Sequence, residues 1–214
     1  LFGLVGSEMC IRDRYKTSCI GKWHLGQAGG MAAHDQGFAE SLLMASGLYG
    51  RLDDANVVQA RQDFDPIDRF LWAALNFAAS FNGGPLFEPP KYLTDYYTDE
   101  AVKVIEANKD RPFFLFLAHW APHTPLQASR EDYEALSNIE LHRERVYAAM
   151  IRSLDRGVGR VMQALKDNGL DENTLVMFTS DNGGAGYIGL PDVNEPYRGW
   201  KICLRICYDL RFPV

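Results

Sequence analysis

Pro112-Phe113-Phe114-Leu115-Phe116-Leu117-Ala118, followed by His119-Trp120-Ala121-Pro122-His123-Thr124-Pro125, is the stretch from which the fold is read. An apolar run with no polar alternation is the pattern of a strand buried on both faces, as in parallel sheets covered by helices. Upstream, Thr98-Asp99-Glu100 offers a cap and an acidic first turn, and Ala101, Val104, Ile105 and Asn108 keep helical spacing to Lys109. Downstream, Tyr147, Ile151, Leu154, Val158, Val161 and Leu165 form the apolar stripe of a long helix, with Gly169 as its stop. Asp171 to Asn173 then turns the chain into a second apolar run, Leu175-Val176-Met177-Phe178-Thr179, expected as another buried strand. Lys16 to Ile20 and Phe38 to Met44 read as further strands. Arg51 to Pro90, punctuated by Asn82-Gly83-Gly84-Pro85 and Pro89-Pro90, reads as an elaborate insertion of the kind that carries substrate contacts. Helices alternating with apolar strands predict an α/β fold with a largely parallel central sheet flanked by helices.

Composition narrows the function classes. The chain has 214 residues, 47% of them hydrophobic, enough for one domain with a proper core. Lys and Arg number 22 against 28 Asp and Glu, a net charge of −6 without a dense basic run, so a nucleic-acid partner is not expected. A polyanionic substrate would have to be held by local charges. The run from Pro112 to Ala118 is far too short to span a bilayer, and Leu1 to Gly6 lacks the basic flank and cleavage pattern of a secretory signal. Cys10, Cys19, Cys203 and Cys207 fall in two terminal clusters without CxxC spacing, and read as unpaired thiols.

In open α/β sheets, ligands bind beyond the carboxyl ends of the strands. Three segments here are expected to meet on that rim. Gly21-Lys22-Trp23-His24-Leu25-Gly26 follows the first strand; if extended, it points an ammonium and an imidazole to one side, suiting a sulfate or phosphate oxygen and a mobile proton. A surface Lys beside a packed His has the same pattern. His119 and His123 bracket a proline-stiffened loop that could fix an imidazole for general acid work on a leaving alkoxide; one of the two reads as a core histidine, and His123, deeper in the loop, is the functional candidate. Ser180-Asp181-Asn182-Gly183-Gly184 sets a carboxylate and an amide carbonyl side by side, hard oxygen donors for Ca²⁺ or Mg²⁺, although the same residues also read as a plain turn.

At these residues the chain resembles the sulfatase family of the alkaline-phosphatase-like superfamily. Tyr15 to Gly26 is similar to the family's second signature and Pro112 to Pro125 to its His-containing strand and loop. Thr174 to Gly184 is similar to its metal-binding strand, and Pro196-Tyr197-Arg198-Gly199-Trp200-Lys201 to the start of its substrate-lysine segment. The resemblance implies that Asp181 and Asn182 ligate Ca²⁺, with Mg²⁺ as the alternative, and that Lys22, His123 and Lys201 hold the sulfate. His24 would act on the nucleophile's proton, whereas Asp155 on the long helix reads as structural. It also implies a sulfated small molecule or carbohydrate as substrate and a periplasmic or secreted setting.

Family members carry two metal-binding aspartates and a Cys-x-Pro/Ala-x-Arg motif, whose cysteine becomes the formylglycine nucleophile, ahead of the Gly-Lys-Trp-His turn. Only Leu1 to Arg14 precedes that turn's strand here, and Cys10-Ile11-Arg12-Asp13-Arg14 lacks the Pro/Ala and lies too close to Lys22. The nucleophile is therefore expected to be missing, at a cost on the order of 10⁶ in turnover. Ser7 to Arg14 resembles translated adapter sequence, and Ile206 to Pro213 resembles the nucleophile segment of nitrilase-type hydrolases, with Cys207 read as a misjoined remnant. The expected organisation is a non-native-looking leader at 1–14, a partial, truncated catalytic domain of alkaline-phosphatase-like fold at 15–201, and a foreign-looking tail at 202–214. The expected activity is metal-assisted cleavage of a sulfate monoester; a phosphomonoester or phosphonate hydrolase and a non-catalytic anion-binding fragment are the alternatives.

Overall fold

The computed structural model describes residues 14–27, 29–184 and 188–190. Its centre is a sheet in the order β5-β4-β2-β1-β6. Strand β1 (Lys16–Gly21) lies between β2 (Glu40–Met44) and β6 (Phe113–Ala118) and is parallel to both, with Cys19 opposite Ser41 on one side and Phe116 on the other. The parallel core is therefore β2-β1-β6. A hairpin of β4 (Ala79–Phe81) and β5 (Leu86–Phe87) extends it, with β4 antiparallel to β2. A separate antiparallel pair joins β3 (Val57–Ala60) to β7 (Leu126–Ser129).

Helices α2 (Leu93–Ala107) and α4 (His142–Asp167) cover the face of the sheet that carries Ile20 and Leu42, and their buried residues form the main core with Leu93, Tyr97, Ala101, Val146, Ala149 and Met150. Two shorter helices, α1 (Pro66–Ala74) and α3 (Arg130–Glu134), stand outside it, each opened by a side-chain cap, Asp65 to the Ile67 amide and Ser129 to the Asp132 amide. Among the described residues the opposite face is covered more thinly. There Cys19 and Leu43 pack against Ala33 and Phe38 from the loop after β1, and Phe38 stacks on Phe114.

Most expected elements form, with instructive shifts. Helix α2 starts five residues before Thr98, whose hydroxyl donates to the Thr94 carbonyl within the helix. Its first turn needs no side-chain cap because tertiary partners hold it: the Leu93 amide donates to the Tyr49 carbonyl at 2.8 Å, and the Tyr92 hydroxyl to the Gln127 carbonyl at 2.8 Å. In α4 most of the expected stripe packs on the core: Leu165 is buried and Tyr147, Leu154 and Val161 are partly buried against it, whereas Ile151 is exposed. The small residues Ala149, Ser153 and Gly157 are buried beside them. They permit close approach: a Cβ on Gly157 would lie 2.6 Å from the Thr98 hydroxyl oxygen. The helix ends as expected, with Gly169 at φ +67° and the Leu170 amide donating to the Leu165 carbonyl.

Two expectations about burial are corrected. Strand β6 forms where predicted, but it is half-buried and Phe116 is exposed, because among the described residues β6 has one neighbour, β1. Leu175 to Thr179 is not a strand. Leu175, Met177 and Phe178 are exposed, and Val176 alone packs against the cluster of Ile105, Ala164 and Leu165. An apolar run becomes a strand only where a neighbouring backbone offers a ladder, and among the described residues none pairs with it.

Candidate functional site

Strands β1 and β6 leave the sheet side by side. Gly21, opposite Ala118, has φ +111°, and a Cβ there would fall 1.9 Å from the Ala118 carbonyl oxygen, so the close pairing requires glycine. The Lys22 amide then donates to that same carbonyl at 2.8 Å, fixing where the Lys22 side chain departs. Past it the turn is closed by Trp23, whose indole N–H is within 3.0 Å of the carbonyls of both Gly26 and Met31.

The Lys22 ammonium lies 3.3 Å from Asp181 Oδ2 and 5.1 Å from the centre of the Trp120 ring. The Trp120 ring in turn stacks on the His123 imidazole, with centroids 3.8 Å apart and planes 22° from parallel. Segments nearly 160 positions apart in sequence thus meet at the carboxyl end of the sheet. Of the expected site residues, the structure brings Lys22, His123 and Asp181 together. His24 stands exposed at the rim, close enough for its charge to act on His123. Lys201 lies outside the described residues, as do Cys10, Cys203 and Cys207.

His123 is held from both sides. Its Nδ1 lies 2.7 Å from the Thr124 carbonyl oxygen, which can only accept, so Nδ1 carries the proton and Nε2 is the nitrogen left for other partners. Its backbone carbonyl accepts the Tyr49 hydroxyl at 2.9 Å. The Tyr49 amide in turn donates to the side-chain oxygen of fully buried Gln127, which ties the 45–50 loop to β7. Burial pulls the His123 titration below the ordinary histidine range; the Thr124 hydrogen bond opposes this, Lys22 and His24 add to it, and Asp181 counters it.

His119 is the core histidine of the pair. Among the described residues neither buried ring nitrogen has a hydrogen-bond partner; the ring lies near Gly157 and Thr98, and burial pulls its titration down to about 4. Asp155 is exposed on α4. Cys19 is a free, buried thiol whose titration burial pushes up to about 12, which leaves it unreactive.

Asp181 and Asn182 are exposed, and the Asn182 amide nitrogen donates to both Asp181 carboxylate oxygens at 2.5 and 2.9 Å. A carboxylate and an amide oxygen are hard donors of the kind a divalent cation takes. The donor chemistry fits Ca²⁺ or Mg²⁺, while the number falls short of the six to eight oxygens calcium takes. Among the described residues no group of three or more His, Cys, Asp or Glu side chains converges.

Sequence reasoning missed Trp120, Tyr49 and Gln127. A tryptophan in a proline-punctuated loop reads as packing, and nothing in the spacing of Tyr49 and Gln127 announces that they brace a residue 74 positions from one and four from the other.

The mixed α/β sheet, with polar side chains gathered at the carboxyl end of its parallel strands, has the alkaline-phosphatase-like architecture. Comparison with known proteins narrows this. The Sulfatase family model matches residues 8–201, and the chain belongs to the sulfatase family. It is 31% identical over 207 residues to the uncharacterized sulfatase YdeN of Escherichia coli K12, covering 91% of this chain and 35% of that protein. To the N-acetylgalactosamine-6-sulfatase of Mus musculus it is 30% identical, covering 83% of this chain and 32% of that one. Among solved structures, Ps i-CgsB in complex with k-i-k-neocarrahexaose superposes with a TM-score of 0.67 at 34% identity, over 86% of this chain and 41% of that one. The chain thus spans about a third of the length of these curated relatives.

Proposed function

We propose that this chain carries part of the active site of a sulfuric ester hydrolase, which cleaves sulfate monoesters of a carbohydrate or small molecule. The observation that carries the reading is the meeting of Lys22, His123 and Asp181 at one rim in a chain of the sulfatase family.

Ester cleavage at sulfur gathers negative charge on the transferred group and on the leaving oxygen, and preorganised donors lower its cost. Lys22 supplies a point charge for one sulfate oxygen. Its present partner, exposed Asp181, holds it weakly, since such surface pairs contribute about 0–1 kcal/mol, so an arriving anion competes readily. His123, with Nδ1 committed to Thr124, offers Nε2 as a donor once protonated, to a sulfate oxygen or to the departing alkoxide. Lys201 is proposed as a further sulfate contact, and His24 as the group that moves the nucleophile's proton. Asp181 and Asn182 would hold Ca²⁺, or Mg²⁺ in its place; a cation there supplies Lewis-acid stabilisation of the sulfate oxygens. Loading it would also draw Asp181 away from Lys22 and free the ammonium for substrate. The nucleophile is proposed to be a formylglycine, whose hydrated aldehyde supplies the attacking hydroxyl. A sulfated carbohydrate is favoured because the relative Ps i-CgsB is described in complex with a carrageenan-type hexaose.

Protein expressed from the continuous genomic locus, assayed on matched aryl sulfate and aryl phosphate esters, tests the reading. Preferential release of sulfate is expected; preferential release of phosphate would replace it with a phosphomonoesterase.

A further inference from the structure

We propose that Trp120 is the positioning residue of this rim, its indole setting both the plane of the His123 imidazole and the reach of the Lys22 ammonium so that the two side chains face one anion. The inference rests on the sulfate-ester reading for the identity of that anion, but not for the positioning itself.

The indole is anchored before it positions anything. Its N–H donates to the Gly47 carbonyl at 2.9 Å, in the same 45–50 loop whose Tyr49 hydroxyl bonds the His123 carbonyl. One loop therefore fixes both the ring that stacks and the backbone of the ring it stacks on. The stack, at 3.8 Å and 22° from parallel, leaves His123 little freedom about its terminal torsion. That freedom is otherwise broad for a histidine, because the torsion joins sp³ and sp² carbons. With the plane set and Nδ1 tied to Thr124, the direction of Nε2 is fixed as well.

Lys22 presents the converse problem. It is a flexible four-carbon stem ending in a point charge, and ordering such a chain is costly unless something holds it. The face of the indole, 5.1 Å from the ammonium, is an electrostatic partner that leaves all three N–H donors available to oxygen ligands. A carboxylate partner instead consumes donors. Trp120 thus makes the cation ready for an anion even when Asp181 turns toward a metal. Nothing in this requires Trp120 to touch substrate, so it is a positioning and not a catalytic residue.

The test compares wild type with Trp120→Phe and Trp120→Leu in the full chain, with calcium present and inorganic sulfate as the probe. Three quantities are read: the ring-proton shifts of His123 by NMR, sulfate affinity by calorimetry, and the thermal midpoint. The stacked indole should shift the His123 ring protons upfield. In Trp120→Leu that shift should vanish and sulfate affinity fall about tenfold. In Trp120→Phe, which keeps an aromatic face but loses the bond to Gly47, part of the upfield shift should remain and sulfate affinity should fall less than in Trp120→Leu. Wild-type shifts and affinity in Trp120→Leu would overturn the proposal. So would Trp120→Phe and Trp120→Leu losing affinity equally in proportion to their thermal midpoints, since that marks a merely structural role. Should Trp120→Leu fail to fold, Trp120→Phe alone decides: a partly retained upfield shift with a correspondingly partial loss of affinity supports the proposal, and wild-type affinity despite a lost shift overturns it. Should wild type bind no sulfate while the His123 shifts respond to the substitutions as described, the sulfate-ester reading fails and the positioning stands.

Discussion

Replacing His119 by leucine should make the protein more resistant to acid. The imidazole sits where β6 ends against α2 and α4, with neither nitrogen bonded among the described residues and burial pulling its titration down to about 4 from the usual 6.5. Above pH 6.5 it is neutral in both the folded and unfolded chain and imposes no pH dependence. Between pH 6.5 and 4 the unfolded chain takes up the proton and the native state does not, so stability falls as pH falls. At about 1.4 kcal/mol per pH unit, withholding the proton across that interval costs roughly 3 kcal/mol by pH 4. His119→Leu removes the titrating group and keeps an apolar side chain in the pocket. Urea unfolding of both proteins at pH 7, 6, 5 and 4 measures the effect, because acid effects from carboxylates are common to both and cancel in the difference. The stability of His119→Leu relative to wild type should rise by roughly 3 kcal/mol between pH 7 and pH 4. A difference that stays constant with pH would refute the reasoning and show that the ring finds a proton acceptor or solvent in the native state.

Two other substitutions probe the elements that carry the site. Gly21→Ala puts a methyl group into the Ala118 carbonyl at a backbone angle alanine avoids, and should lower unfolding stability by roughly 2–4 kcal/mol in a urea titration. Asp132→Ala removes the buried carboxylate that receives the guanidinium groups of Arg152 and Arg156 and the Ser129 hydroxyl, and should cost about 3–5 kcal/mol by the same measurement.

Local chemistry was legible in the sequence wherever it did not depend on a distant partner. Strand β6 follows from an apolar run, β1 from the short stretch that feeds the Gly21 turn, and the Gly169 stop from a glycine that needs positive φ. The Lys22, His123 and Asp181 rim follows from the rule that ligands gather beyond strand ends, applied to three expected strands, of which Lys16 to Ile20 and Phe113 to Ala118 form and Leu175 to Thr179 does not. What failed depended on tertiary context. The start of α2 is set by the Tyr49 and Gln127 carbonyls, which are remote in sequence, so Thr98 looked like a better cap than anything before it. The large residues of the α4 stripe mark its core-facing side, but nothing in their spacing shows that the small residues Ala149, Ser153 and Gly157 are buried beside them where α4 packs against α2. Leu175 to Thr179 has the composition of a strand, but a ladder takes two backbones. Trp120 was invisible as a site residue because its role lies in what it stacks on and not in any reactive atom of its own.

The most direct test of the central claim, that three remote segments form one cup for a tetrahedral dianion against a divalent cation, is a calorimetric titration of inorganic sulfate into the calcium-loaded protein. Wild type, Lys22→Met and Asp181→Asn should be compared, with and without chelator. The account predicts sulfate binding that requires calcium and weakens at least about tenfold in each variant, as expected when a charge-assisted contact is removed. Sulfate affinity unchanged by chelator and by both substitutions would contradict it.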